Sequence, residues 1–278
     1  MVGSSSDLTH LALAALSTLI VLAGAALDLL FVFRFQRHSV PLRFLRHSEI
    51  NERPFTLFHA LQVLWVTLMC SVPVLFQKMD APTPPERSIV LGPVLYALMS
   101  LLIVVFCLTT AKTTFRSAFA SNACTAKQAL AKGLVYGLAA IPPVVLLSTV
   151  ISSITEAFGY EARLQNVFDW LNDGAVSSGT RVFMMFSAVF IAPVAEEALF
   201  RGILLPSLLK FRSLIWAALV SSFYFALVHF HAPSLLPLIL LGLAFSAAYA
   251  KTGSLLTPIV MHALFNATSL LFFLAGKT

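Results

Sequence analysis

Three stretches of this chain hold side chains that could carry out acid–base chemistry. The first, Ala192-Pro193-Val194-Ala195-Glu196-Glu197-Ala198-Leu199-Phe200-Arg201, puts two carboxylates and a guanidinium within six residues. On a helix, Glu197 and Arg201 stand four apart on one face with the acid toward the N-terminus, the favourable order for an ion pair. Glu196 points about 100° away around the same helix and has no helical partner. A carboxyl left without a partner is the candidate general base. The second stretch, Phe225-Ala226-Leu227-Val228-His229, supplies an imidazole. The third, His262-Ala263-Leu264-Phe265-Asn266, supplies an imidazole and an amide four residues apart, hence on one helix face. Imidazole and amide N–H groups are donors suited to an oxyanion developing on an attacked carbonyl.

The elements that carry these groups must be membrane helices. The 278 residues are 59% hydrophobic and 11% charged, with a mean hydropathy of +0.90. A soluble domain carries about 25% charged residues, so a soluble fold, intrinsic disorder and a disulfide-stapled scaffold are all excluded as classes. Eight apolar stretches follow one another: 8–33, 54–76, 88–111, 133–154, 182–209, 213–230, 233–250 and 254–275. Each meets the roughly 17–25 residues that a ~30 Å hydrocarbon core requires. Only four formal charges fall inside them: Asp28, Glu196, Glu197 and Arg201. The expected fold is therefore all-α and polytopic, a single membrane domain over 1–278 with about eight transmembrane helices. Residues 1–154 give the first four spans with their basic loops, 180–275 form the catalytic core, and the motifs lie on spans five, six and eight.

A charge at the bilayer centre costs at least ~2.5–3.5 kcal/mol, so the two glutamates must be paired, protonated or exposed to a hydrated cavity. At 1.5 Å per residue, Glu196 lies ~21 Å along its span from Lys210, and His229 ~24 Å from Ser213. Asn266 and His262 lie ~18 Å and ~12 Å from Ser254 on the same rise. These groups can meet within the membrane. Asp28, near the inner end of span one, can snorkel toward the arginines that follow it, and no catalytic role is assigned to it.

The net charge of +6 sits in short loops, which orients a chain across a bilayer and does not indicate nucleic acid. Segments 34–53, 112–132, 210–212 and Lys251 carry twelve Lys/Arg, and the opposite set carries five. Both termini are thus expected on the non-cytoplasmic side. The first span is too long for a signal-peptide core and lacks a basic n-region, so a retained helix is expected. Residues 36–53 alternate arginines with Val40, Leu42, Phe44 and Leu45, which suits an interfacial segment against anionic lipid. Tyr160, Leu164, Val167, Phe168 and Leu171, with Trp170 nearby, predict a short amphipathic helix at the other surface. Pro82-Thr83-Pro84-Pro85 predicts a stiff turn before the third span.

Taken in order on separate apolar spans, Glu196-Glu197-x-x-x-Arg201, Phe225-x-x-x-His229 and His262-x-x-x-Asn266 closely resemble the CPBP family. That family includes the type II CAAX prenyl endopeptidases and the lysostaphin-resistance and bacteriocin-processing-like membrane proteins. The resemblance covers roughly residues 180–270. It implies an intramembrane glutamic endopeptidase acting on a membrane-associated peptide or protein, with no cofactor and no metal. By motif position, Glu196 and His229 would activate a water for attack on the scissile carbonyl, and His262 and Asn266 would stabilise the oxyanion. Arg201 would neutralise Glu197, with Phe225 supporting the site. The pairing of His229 with Glu196 comes from the resemblance alone.

Two other readings use the same residues. Carboxylates and imidazoles can bind zinc, so a zinc-dependent membrane protease is one, although the H-E-x-x-H helix is missing from the sequence. A non-catalytic membrane scaffold, immunity factor or transporter with a polar core is the other. His262 and Asn266 would then act as interhelical hydrogen-bond glue. Cys70, Cys107 and Cys124 lack metal-ligand spacing and are expected as buried thiols. His231 is expected in a loop, and His59 and Gln62, one turn apart on span two, could line the cavity. Beyond the bilayer itself, partners and oligomeric state leave no mark in the sequence.

Overall fold

The computed structural model of the chain describes residues 5–37, 49–75, 85–159 and 166–276. Every regular element among them is helical. In chain order these are α1 (Ser5–Arg37), α2 (Leu57–Leu75), α3 (Glu86–Thr110), the short α4 (Phe115–Phe119), α5 (Ala126–Ala157), the short α6 (Asn166–Asn172), α7 (Ser178–Leu209), α8 (Leu214–Leu227), α9 (Leu235–Thr252) and α10 (Leu256–Ala275). Six of them, α1, α3, α5, α7, α9 and α10, are long and apolar enough to cross a membrane, while α2 and α8 contribute shorter apolar helices. The chain is an all-helical, multi-pass membrane protein.

Local sequence sets the helix ends. Thr125 and Gln128 form a reciprocal capping box at the start of α5. The Ser177 and Ser213 hydroxyls accept the first free N–H groups of α7 and α8. Gly253 ends α9 with φ +65°, a left-handed conformation that costs glycine little. Span six, expected over 213–230, proves shorter. Its helix stops at Leu227, and the chain reverses through Phe230 at φ +48°. Fourteen residues reach only about 21 Å, so His229 sits at the tip of a rod too short to cross a ~30 Å core.

Helices α5 and α10 share the most extensive interface, and α1 leans on both. Small residues make this close approach possible. A Cβ on Gly133 would lie 2.7 Å from the Val260 side chain and 2.9 Å from the Thr257 carbonyl. The buried centre is formed by Leu199, Phe200, Ile203, Leu204, Phe225, Phe245 and Tyr249. Helix α6 forms at the predicted amphipathic segment, but it packs inward, with Leu171 buried against Ile89, Val176 and Met184. Tyr160 and Leu164 lie outside the described residues, as do 82–84 of the proline turn.

Arg53 departs from the expectation of an interfacial basic segment. It is buried, and its guanidinium donates to the carbonyls of Ser117, Ala120 (2.8 Å) and Gly253 (2.9 Å). One planar fork thereby ties the α4 region to the α9–α10 turn. Residues 38–48 of that segment lie outside the described residues. Arg53→Met should destabilise the fold by roughly 2–4 kcal/mol, because charge-assisted bonds are lost and buried carbonyls are left unpaired. Arg53→Lys should recover only part of this, since an ammonium cannot reproduce the fork. Denaturant titration of the detergent-solubilised protein measures both.

Candidate active site

The glutamates occupy the middle of α7, a rod that is not uniformly α-helical. Ser187–Ile191 and Ala198–Leu204 are π-helical, and they bracket an α-helical turn, Ala192–Glu197. Pro193 lies at the start of that turn and Pro206 follows the second π segment. A proline has no N–H to continue the ladder, and π segments concentrate where a helix must present side chains off the regular register.

Glu197 and Arg201 are both fully buried and form the predicted i,i+4 pair, with Arg201 Nη1 donating to Glu197 Oε1 at 3.0 Å. The arginine reaches further than the pair requires. Its Nη2 donates to the Gly242 carbonyl on α9 at 3.2 Å. Its guanidinium lies over the rings of Phe225 (4.6 Å) and Phe245 (5.2 Å). Position 242 has to be glycine for this: a Cβ there would come within 2.9 Å of Nη2 and 2.8 Å of Ser222 Cβ.

His262 enters the same network from α10. Its Nδ1–H donates to Glu197 Oε1 at 2.9 Å, while Nε2 faces Glu196 Oε2 at 3.8 Å. Phe245 stacks on the imidazole at 5.1 Å and Phe225 meets it edge-on at 5.8 Å. The guanidinium, the Glu197 carboxylate and the imidazole thus form one connected chain that ends beside Glu196. Two side chains on that carboxylate repay part of the cost of burying it.

Glu196 itself is held differently. Its side chain is 15% exposed, and Oε2 has no hydrogen-bond partner among the described residues. It opens onto a cavity of about 190 Å³, lined also by Thr67, Ser71, Tyr96, Phe200, Val228 and His229. His229 is oriented by its own helix: Nδ1–H donates to the Phe225 carbonyl at 2.7 Å, and the Phe225 ring packs against it at 4.7 Å. With Nδ1 protonated, the neutral ring keeps an unprotonated Nε2 able to accept a proton. A cavity of this size with several polar groups on its wall has room for water.

Asn266 stands apart from this cavity. Its Nδ2 donates to the Ala188 carbonyl at 2.8 Å, within the first π segment of α7. The structure therefore groups Glu196 with His229 around the cavity and places His262 behind Glu196. It gives Asn266 a separate contact one turn along α10. His59 does not line this cavity: its ring bonds the Thr56 N–H and the Thr110 hydroxyl. Gln62 is absent from the lining as well. His231 lies in the expected loop, bonded to Ser234. Cys107 and Cys124 are buried and Cys70 is half-buried, all three free thiols.

Sequence reasoning missed Tyr96. This side chain also lines a second, apolar cavity of about 150 Å³ beneath α6, with Ile89, Pro93, Trp170, Met184 and Ala188. No spacing in α3 singles it out.

Residues 178–268 match the family model described as type II CAAX prenyl endopeptidase Rce1-like. The resemblance drawn from the three motifs is borne out over that stretch. The chain is 31% identical over 83 residues to "Putative membrane peptidase YdiL" of Bacillus subtilis (strain 168), covering 30% of this chain and 34% of that protein. It is 35% identical over 99 residues to "Uncharacterized 24.3 kDa protein" of Escherichia coli, covering 33% of this chain and 44% of that one. The chain thus spans less than half the length of these curated relatives. No solved structure matches it significantly.

Proposed function

We propose that the chain is an intramembrane endopeptidase that hydrolyses a peptide bond of a membrane-associated substrate, with Glu196 and His229 activating the attacking water. The supporting observation is the pairing, on one cavity, of a carboxyl that has an unbonded oxygen with an imidazole whose Nδ1–H is held by the Phe225 carbonyl. Water seated between them loses a proton to Glu196 as its oxygen forms a bond to the scissile carbonyl carbon. The proton then passes to the amide nitrogen as the C–N bond breaks, so the carboxylate is regenerated and the amine leaves neutral.

Behind the base, Arg201, Glu197 and His262 fix its position and balance its charge. In this reading His262, carrying a proton on both ring nitrogens between the two glutamates, donates from Nε2 to the oxyanion, and Asn266 Nδ2 is the second donor. Asn266 joins by exchanging its bond to Ala188 O for one to the tetrahedral oxygen. The family model and the peptidase name of the Bacillus relative point to the same reaction class.

The direct test incubates the full chain in detergent with a library of membrane-proximal peptides, with and without a stringent zinc chelator. Discrete cleavage that survives chelation is expected. Loss of cleavage on chelation, restored by zinc, would transfer these residues to metal chemistry, and absence of any product would remove the protease reading.

A further inference from the structure

A cavity of about 520 Å³ lies away from the glutamates, between the segment 115–126 and the first turn of α10. Its wall mixes two kinds of side chain. Phe115, Leu256 and Ile259 are apolar, while Arg116, Asn122 and Ser254 are polar. Phe115 is 66% exposed, so the mouth is open.

The segment that forms most of this wall carries charge of one sign. Residues 112–132 contain Lys112, Arg116, Lys127 and Lys132 and no Asp or Glu. Three cations on neighbouring elements are already committed. Arg53 is spent on three carbonyls, Lys210 donates to the Asn51 carbonyl at 2.6 Å, and Lys251 lies over the Tyr136 ring. The guanidinium of Arg116, exposed on the cavity wall, has no hydrogen-bond or ion-pair partner among the described residues. An inorganic anion would use the cation and leave the apolar residues uncovered. An amphiphile with an anionic head covers both.

We propose that this cavity binds the headgroup and glycerol region of an acidic phospholipid. The phosphate sits at Arg116 and the Asn122 and Ser254 side, and the first carbons of the tails lie along Phe115, Leu256 and Ile259. The site is independent of the protease reading. Its wall nevertheless reaches the other half of the molecule: the Leu255 N–H donates to the Phe119 carbonyl at 2.9 Å, and the Phe119 ring fills the notch over Gly202 of α7.

The test is native mass spectrometry of the full chain in nonionic detergent, titrated with phosphatidylglycerol or phosphatidylcholine. Phosphatidylglycerol should be retained preferentially. Arg116→Gln should weaken its retention about fivefold, the usual contribution of one basic residue near a lipid surface, and leave phosphatidylcholine unchanged. Ala120→Trp, a cavity-filling change at an exposed position, should exclude the lipid. Both side chains lie at the surface, and an unchanged unfolding midpoint certifies each variant; if the tryptophan variant fails to fold, Arg116→Gln decides alone. Equal retention of the two lipids, or indifference of phosphatidylglycerol to the certified variants, would overturn the proposal. So would displacement by millimolar inorganic phosphate, which would assign the cavity to a free anion.

Discussion

Glu196→Gln should lower the turnover of a cleaved peptide by about 10²–10⁴-fold, the range a positioned general base contributes, while leaving the fold intact. The substitution keeps shape and volume and removes the negative charge together with the ability to take a proton. It disturbs no strong contact, because Glu196 Oε2 has no hydrogen-bond partner among the described residues and stands 3.8 Å from His262 Nε2. The unfolding free energy should therefore stay within about 1 kcal/mol of wild type, as for substitutions away from a bonded network. Single-turnover cleavage beside denaturant titration separates the two effects. A variant that cleaves at the wild-type rate would take Glu196 out of the chemistry. One that loses activity and stability together would make it a structural acid.

That separation matters because the sequence makes Glu196 and Glu197 look alike, and only their surroundings distinguish them. The chain's pattern was enough to show that one carboxyl pairs with Arg201. A four-residue offset on a helix dictates it, and the observed 3.0 Å contact follows. The helical class and the positions of the spans were legible for a similar reason, since hydrocarbon length acts on every residue of a span. His262 was less legible. Its four-residue offset from Asn266 suggested a shared task, yet one side chain turns to Glu197 and the other to the Ala188 carbonyl. Which way each turns depends on α7, whose π segments release that carbonyl, and π geometry leaves little trace beyond Pro193 and Pro206. Arg53 was illegible on principle. It is one arginine among several in 34–53, and its acceptors are backbone carbonyls, which every residue has. Tyr96 was hidden the same way, as one aromatic side chain on a span with no polar pattern.

The second large effect concerns the buried pair. Arg201→Met should destabilise the protein by about 3–5 kcal/mol, because it strands the fully buried Glu197 carboxylate with only His262 to hold it. It also removes the tie to the Gly242 carbonyl and the cation beneath Phe225 and Phe245. Methionine roughly fills the space of the aliphatic stem, so the loss reads as electrostatic and not as a cavity. The double variant Glu197→Leu/Arg201→Met should then recover most of the stability, since replacing both partners of a buried ion pair with apolar groups is often neutral or better. Its activity should not recover. Without Glu197 the His262 Nδ1–H has lost its acceptor, and the ring no longer has a reason to present Nε2 toward Glu196. If the double variant regains both stability and cleavage, the pair serves only as a strut. If it regains stability alone, the cost of burying these charges is retained because they aim the imidazole. Denaturant titration and single-turnover cleavage on the three proteins decide between these outcomes.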